Sequence, residues 1–255
     1  RDWSVTGVQT CALPICYQQG TVTPVDVIKS ILADLALRGD DGIWIYTLPE
    51  QTLIERATTL MQMSASQRSQ LPLWGIPFSI KDCIDVAGHP TSAACPGFTY
   101  NATHTSPAVQ KLLDTGAILI GKTNLDQFAT GLVGIRTGYT APHNAFSKDH
   151  IPGGSSSGAA LSVAAGLVSF AIGTDTGGSG RVPAGFNNVV GLKPTRGLLS
   201  TRHTVEACRT LDCLSIFALT ATDAHTVLTI AQGYDPVNPF SRSANVPPVH
   251  LSSYQ

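Results

Sequence analysis

The sequence predicts an α/β fold with a mixed sheet at its centre. Segments with helical periodicity alternate with short apolar runs along the chain, which is the pattern of helices packed on a sheet. Hydrophobic residues make up 43% of the chain and charged residues only 13%, as expected where many strands and small-residue helices are buried. The length of 255 residues fits one domain with a sizeable core.

The first elements are predicted to be helical. Residues 1–16 show no helix or strand periodicity, and we interpret them as a non-native leader, so that the domain itself covers residues 17–255. Thr23-Pro24 is typical of a helix N-cap followed by the first helical residue, and VDVIKSILADLALR continues it with one apolar face. The pattern then predicts a strand at 43–48 and an amphipathic helix at 51–63.

The middle of the chain alternates in the same way. Residues 73–82 are predicted to form a buried strand that carries Lys81 near its end. The elements predicted after it are a return strand or loop at 84–87, a helix at 106–115, a strand at 116–121, a helix at 156–166 and a strand at 167–172. The Pro- and Ser-rich segment after Tyr234 is predicted to be a loop.

Two glycine-serine loops, residues 153–158 and 173–180, bracket a short apolar segment. Such loops let backbone N–H groups approach a bound anion or a developing oxyanion, because glycine has no Cβ and accepts positive φ. They are therefore typical either of phosphate binding or of acyl transfer to a serine. Neither loop contains a Gly-Lys-Ser/Thr step or a G-x-G-x-x-G pattern, which disfavours nucleotide binding.

Composition and motif spacing argue against several other classes of protein: nucleic-acid-binding, metal-binding, secreted and membrane proteins. The net charge of −1 gives no case for nucleic acid or an acidic membrane surface as a partner. The six cysteines lack a C-x-x-C pair and the seven histidines are scattered, so no metal-ligand spacing is present and reduced thiols are expected. No signal peptide is visible, and the longest apolar run falls short of the roughly 20 residues of a membrane span. We expect a cytoplasmic protein.

Four segments together resemble the amidase signature family of serine hydrolases. They are GIPFSIKD, GKTNLDQFATG, GGSSSG and GTDTGGSGRVPA, and they occur in the family's order between about residues 71 and 231. The resemblance implies a central mixed β-sheet covered by helices on both faces. It also implies a domain that is incomplete at its C-terminus, since family members continue well past Tyr234 with further strands and substrate-binding residues.

The resemblance implies a Ser–Ser–Lys triad. Ser179 is expected to be the nucleophile, Ser155 the bridging serine that follows a cis peptide and contacts substrate, and Lys81 the base. A lysine acts as a base only when neutral, which requires burial or a nearby positive charge, and the apolar run before Lys81 is consistent with burial. The oxyanion hole is expected to consist of the backbone N–H groups of Thr176, Gly177, Gly178 and Ser179.

Further residues are expected to support the site. The resemblance makes Ala129 a contact of the substrate's acyl group. Asp175 and Arg181 flank the nucleophile and are expected to form an ion pair that fixes its loop, while Ser156 and Ser157 are expected to supply supporting hydrogen bonds. Taken singly, such residues are usually solvated loop serines and surface charges, but the ordered combination of motifs outweighs that expectation.

Within the family, the segments GLVGIRTGY, FNNVVGLKPTRGLLSTR and ACRTLDCLSIFALTATDA are most similar to the allophanate hydrolase branch. The implied reaction is hydrolysis of allophanate in urea degradation, through an acyl-enzyme and with release of ammonia. Arg202 and Arg209 are candidates for contact with a carboxylate, although structural ion pairs are the simpler expectation. Cys83, often Asn in relatives, and His203 depart from the family pattern and bear on fine specificity.

Two alternatives stay open. The chain is either another amidase of the same family, such as the glutaminase-type component of a tRNA transamidation complex, or an inert fragment that keeps the fold without catalysis. The implied mechanism needs no metal or organic cofactor. The expected partners are a small-molecule amide substrate, a second copy of the chain in a homodimer, and functionally a biotin-dependent urea carboxylase.

Overall fold

The computed structural model describes residues 13–242 and has the α/β architecture that the sequence predicts. The helices within this range are α1 Leu13–Gln19, α2 Pro24–Arg38, α3 Glu50–Met61, α4 Ala65–Arg68, α5 Pro107–Asp114, α6 Ser157–Ala164, α7 Arg181–Phe186 and α8 Ala221–Ala231. The strands are β1 Trp44–Thr47, β2 Pro77–Lys81, β3 Pro90–Thr91, β4 Tyr100–Asn101, β5 Ile118–Thr123, β6 Phe170–Thr174, β7 Val190–Leu192 and β8 Leu214–Ala218.

A mixed sheet with the strand order β1-β5-β2-β6-β8-β7 forms the centre of the fold. The three middle strands, β5, β2 and β6, are parallel, while β1, β8 and β7 each pair antiparallel with their neighbours. β2 ends at Lys81 and the adjacent β6 ends at Thr174. Both side chains therefore lie at the carboxyl edge of the parallel strands, which is where α/β sheets commonly bind ligands.

The alternation of side chains along β2 decides which face Lys81 occupies. Ser79 makes a hydroxyl contact of 2.9 Å with Ser162 of α6, so α6 covers the face to which Ser79 and Lys81 both belong. Phe78 lies on the opposite face and stacks on Phe170 of β6, with ring centroids 5.1 Å apart. Helices cover both faces of the sheet, as predicted, and α6 begins directly after the first serine loop.

Several predicted elements are present with altered bounds. The helix after Thr23 is confirmed, with a capping box in which Asp26 N–H donates to Thr23 Oγ1 at 3.2 Å and Thr23 N–H donates to Asp26 Oδ2 at 3.0 Å. The strand predicted at 73–82 is restricted to β2, because the residues before it form turns closed by bonds such as Trp74 N–H to Leu71 O at 3.0 Å. The strands predicted at 116–121 and 167–172 begin two or three residues later, as β5 and β6.

Residues 84–87 form a loop with one isolated bridge, between Ile84 and Thr204, which is one of the two predicted alternatives. Other parts of the fold differ from the sequence prediction. The antiparallel strands β7 and β8 and the helices α7 and α8 were not predicted. Helix α1 begins at Leu13, which is buried, so the last four residues of the predicted leader are helical; residues 1–12 lie outside the described residues. None of the described helices is both long and apolar enough to cross a bilayer.

Truncation of Phe78 tests the packing of the sheet behind the site. Phe78→Ala is expected to lower the free energy of unfolding by about 3–5 kcal/mol, because the fully buried ring leaves a cavity against Phe170. Urea denaturation measures the loss. The control Leu37→Ala, at a residue of α2 that is 87% exposed, is expected to change it by less than about 0.5 kcal/mol. Equal effects of the two substitutions would contradict the packing of Phe78 against Phe170 in the core.

Candidate active site

Lys81 lies fully buried among hydroxyl groups at the end of β2. Its Nζ is 2.7 Å from Ser155 Oγ and 2.6 Å from Thr174 Oγ1. Among the described residues, Lys81 forms no ion pair. Burial lowers the pKa of the Lys81 ammonium below its ordinary value, and more distant charges such as that of Asp126 oppose this shift only in part. The site therefore favours a neutral amine that can accept a proton.

A second buried lysine, Lys122 on β5, has the opposite arrangement. Its Nζ lies 3.1 Å from Asp82 Oδ1 in an ion pair with almost no exposure, and it donates to the Pro90 carbonyl at 2.6 Å. Asp82 also accepts the Ser92 N–H at 2.9 Å. The carboxylate next to Lys81 in the sequence is therefore already neutralised by another lysine. This pair was not predicted, because its two members lie far apart in the sequence.

Ser155 stands directly before α6 and is fixed through its backbone. The Gly154–Ser155 peptide is cis, as the resemblance implies. The Ser155 carbonyl accepts the Asp126 N–H at 3.0 Å, and the Gly154 N–H donates to the Leu132 carbonyl at 2.9 Å. A Cβ on Gly154 would overlap the carboxylate of Asp126, so the close approach of this loop requires glycine.

The carboxylate of Asp126 organises the loop that contains Ala129. It accepts the backbone N–H groups of Val133, Gly134 and Arg136 at 2.9–3.1 Å. Ala129, the predicted acyl contact, lies in this loop with φ 56° and is buried. The role of Asp126 was not predicted, although an aspartate before a glycine-containing loop is a known signal for such backbone capping.

Ser179 lies just before α7 and is 3% exposed. Its carbonyl accepts the Ser156 N–H at 3.2 Å, which joins the two serine loops. Asp175 and Arg181 form the expected ion pair, with Nε to Oδ2 at 2.9 Å and Nη2 to Oδ1 at 3.0 Å. Burial raises the pKa of the Asp175 carboxyl, but hydrogen bonds from Arg181 and Gly178 outweigh it and hold the pKa below its ordinary value.

The structure joins Lys81 to Ser155 directly, whereas the second link of the expected triad is not formed. Among the hydrogen bonds of residues 13–242, none joins the hydroxyls of Ser155 and Ser179. The Ser179–Ser155 proton transfer therefore stays a prediction. Catalytic hydrogen bonds are often long without substrate, so the missing bond does not argue against the triad.

The expected oxyanion hole needs one correction. The Gly178 N–H donates to Asp175 Oδ1 at 2.7 Å, so it is not free for an oxyanion. The physical reason is that this amide caps the buried carboxylate that fixes the loop. Within the described part of the chain, the N–H groups of Thr176, Gly177 and Ser179 have no protein acceptor and remain the predicted donors.

The remaining serines of the first loop, Ser156 and Ser157, contact the backbone of neighbouring segments, and their supporting role stays a prediction. Ser156 Oγ donates to the Thr174 carbonyl at 3.0 Å and accepts the Thr174 N–H at 3.3 Å. Ser157 Oγ lies 3.5 Å from the Asn124 carbonyl. Ser156 therefore fixes the backbone of Thr174, whose hydroxyl in turn contacts Lys81. Thr174 was not recognised from the sequence, since its contact with Lys81 depends on strand pairing.

The two arginines considered for carboxylate binding are both engaged elsewhere. Arg202 Nε lies 3.0 Å from Asp235 Oδ2, and Arg209 Nε lies 3.2 Å from Glu206 Oε1. The simpler expectation of structural ion pairs is therefore correct for both. Both guanidinium groups therefore already have a carboxylate partner within the described chain.

Comparison with known proteins gives the family. The profile of the family described as Amidase matches residues 31–254. The chain belongs to the amidase family. This amidase-family chain is 48% identical over 212 residues to the urea amidolyase of Saccharomyces cerevisiae, a match covering 83% of this chain and 11% of that protein. It is 42% identical over 193 residues to a glutamyl-tRNA(Gln) amidotransferase subunit of Acidobacterium capsulatum, covering 75% of this chain and 40% of that protein.

Solved structures of similar proteins have the same fold. The allophanate hydrolase of Kluyveromyces lactis matches with a TM-score of 0.81 and 42% identity, over 89% of this chain and 37% of that one. The corresponding glutamyl-tRNA(Gln) amidotransferase subunit of Thermotoga maritima matches with a TM-score of 0.74 and 30% identity, over 86% of this chain and 46% of that one. The chain thus spans less than half of each of these relatives.

The two buried lysines are expected to respond differently to substitution. Lys122→Met should lower the free energy of unfolding by about 3–5 kcal/mol, because it leaves Asp82 buried without its counter-charge. Lys81→Met should cost less, about 1–3 kcal/mol, because it deprives hydroxyls of a partner but leaves no unpaired charge. Chemical denaturation measures both, and the double variant Asp82→Asn/Lys122→Met should recover much of the loss. Equal losses for the two single variants would overturn the assignment.

Proposed function

We propose that this chain hydrolyses allophanate and releases ammonia through Lys81, Ser155 and Ser179. One observation carries the proposal: Lys81 is fully buried without a carboxylate partner among the described residues, and its Nζ lies 2.7 Å from Ser155 Oγ. A serine hydroxyl is a poor nucleophile until a base removes its proton, and a desolvated neutral lysine is such a base.

In the proposed reaction, Ser155 passes its proton to Lys81 Nζ and takes the proton of Ser179. Ser179 Oγ then bonds to the carbonyl carbon, and the negative charge on the carbonyl oxygen is stabilised by the N–H groups of Thr176, Gly177 and Ser179. The C–N bond breaks as the proton returns to the leaving nitrogen, which departs as ammonia. Water then cleaves the acyl-enzyme to the acid. Loss of one oxyanion donor typically costs about 10²–10³ in rate.

The relatives support allophanate as the substrate. Similarity is high to the urea amidolyase of Saccharomyces cerevisiae and to a solved allophanate hydrolase, at 48% and 42% identity. Because the chain spans only 11% and 37% of those proteins, substrate and partners are proposals. The same holds for the functional link to a biotin-dependent urea carboxylase, for a homodimer and for a cytoplasmic location.

A second candidate is hydrolysis of glutamine as an ammonia donor. The observation in its favour is 42% identity to the glutamyl-tRNA(Gln) amidotransferase subunit of Acidobacterium capsulatum. The triad chemistry is the same for both substrates, so the two candidates differ only in what the site binds.

Ammonia release from allophanate, glutamine and a simple amide distinguishes the candidates. We expect turnover of allophanate to exceed that of glutamine, and Ser179→Ala to abolish it, because the nucleophile is lost. Labelling with a serine-directed fluorophosphonate, located by mass spectrometry, should mark Ser179 and should fail in Lys81→Met. The control Ser30→Ala, at an exposed serine of α2, should keep the label. Fast turnover of glutamine alone would overturn allophanate as substrate, and an unlabelled Ser179 would contradict the triad.

The pH dependence follows from the buried lysine. We expect kcat/KM to rise with pH along a limb whose pKa lies below 10.5, because burial lowers the pKa of Lys81 and only its neutral form accepts a proton. The rate therefore falls as pH drops through that pKa and Lys81 becomes charged. Rate measurements across the pH range test this, with Lys29→Met, an exposed lysine of α2, as the control that keeps the profile. An activity that rises toward low pH would refute Lys81 as the base.

A further inference from the structure

A cavity of about 400 Å³ opens beside the loop that carries Ala129. Its lining residues are Gln127, Thr130, Ile135, Arg136, Thr137 and Gly138. Two of them flank the 128–129 segment on either side, so the cavity borders the predicted acyl contact. None of these lining residues is acidic.

The loop that forms this cavity packs against both serine loops. Its Leu132 carbonyl accepts the Gly154 N–H at 2.9 Å, next to Ser155. The side chain of Leu132 also approaches the backbone of Gly178, next to Ser179; a Cβ there would lie 3.5 Å from Leu132 Cδ2. The loop that lines the cavity thus also contacts the residues next to both serines of the proposed triad.

The backbone of Arg136 is fixed while its guanidinium is unpaired. Its N–H donates to Asp126 Oδ1 at 3.0 Å, and its carbonyl accepts the Gln127 N–H at 2.6 Å. The side chain is exposed, and no ion pair joins it to any residue between 13 and 242. Arg181, in contrast, is held by its aspartate. Arg136 thus has a fixed backbone in the loop that contains Ala129, and its cation has no counter-charge within the described chain.

The other polar groups of the cavity narrow the ligand class. The hydroxyls of Thr130 and Thr137 donate to the Gln127 carbonyl and to Asn124 Oδ1, at 2.8 Å and 2.7 Å. The side-chain groups left to donate are the Arg136 guanidinium and the amide of Gln127, which has no partner in the described chain. A guanidinium fork with an adjacent amide matches a planar carboxylate.

We infer that Arg136, assisted by Gln127, is the specificity-determining residue that holds the carboxylate of an anionic amide substrate. This inference rests on the proposed function, since it concerns the substrate of that same site. The carboxylate occupies the cavity while the amide carbonyl lies at Ser179. The site then selects carboxylated amides over neutral amides of the same size.

Direct binding tests this without catalysis. The ligands are malonamate, in which a methylene replaces the imide nitrogen of allophanate, and its neutral diamide malonamide. Both are titrated by calorimetry into Ser179→Ala protein, with and without Arg136→Gln. Arg136→Gln is expected to weaken the binding of malonamate by about 10- to 100-fold and to leave the affinity for malonamide unchanged. Only the carboxylate of malonamate loses a charge-assisted contact. Arg136→Lys should give an intermediate loss, since lysine keeps the charge without the fork.

The matched control is Arg196→Gln, which removes another exposed arginine, outside the cavity, and should leave both affinities unchanged. The inference is overturned if Arg136→Gln lowers the affinity for both ligands equally or leaves the affinity for malonamate unchanged. It is also overturned if neither ligand binds the Ser179→Ala protein. Ammonia release by the unsubstituted chain is measured separately. Binding that depends on Arg136 without hydrolysis of any amide overturns the proposed function alone, and allophanate hydrolysis unaffected by Arg136→Gln overturns only the role of Arg136.

Discussion

The site depends on a lysine that is buried without a counter-charge among the described residues. Removal of an ammonium from water is costly, and a carboxylate beside it would restore the charged form. The fold instead surrounds Lys81 with the hydroxyls of Ser155 and Thr174. The neighbouring carboxylates have partners of their own: Asp82 binds Lys122, and Asp175 binds Arg181. These ion pairs are therefore part of the site electrostatics as well as of the fold, because each gives a carboxylate near Lys81 a counter-charge of its own.

The sheet topology brings these groups together. β2 and β6 are parallel neighbours, so their ends place Lys81 beside Thr174. Helix α6 covers the same face and begins just after Ser155, which brings the bridging serine to the lysine from the helix side. The first serine loop is then joined to the second through the Ser156 N–H and the Ser179 carbonyl. Elements far apart in sequence thus define one small volume.

The sequence reveals the residues that carry a motif and conceals those that depend on distant partners. Lys81, Ser155 and Ser179 stand in glycine-rich or strand-end patterns that are visible locally. Lys122 does not, because its partner Asp82 follows another strand and only the pairing of β2 with β5 brings them together. The oxyanion prediction failed at Gly178 for a related reason: a glycine pattern identifies available amides but does not reveal which one is used to cap a buried carboxylate.

In the proposed reaction, chemistry and substrate choice are carried by different loops. The proposed acyl-transfer groups lie on the two serine loops and at the ends of β2 and β6, whereas the cavity with Arg136 is formed by the loop that Asp126 folds. Asp126 anchors that loop through backbone N–H groups, which residues other than proline can supply at positions 133 and 136, whereas Gly134, at φ 81°, has no room for a Cβ against the Gly153 carbonyl. Side chains in the cavity can therefore change without disturbing Lys81. This separation gives a physical reason why relatives named for urea and for glutamyl-tRNA share one fold.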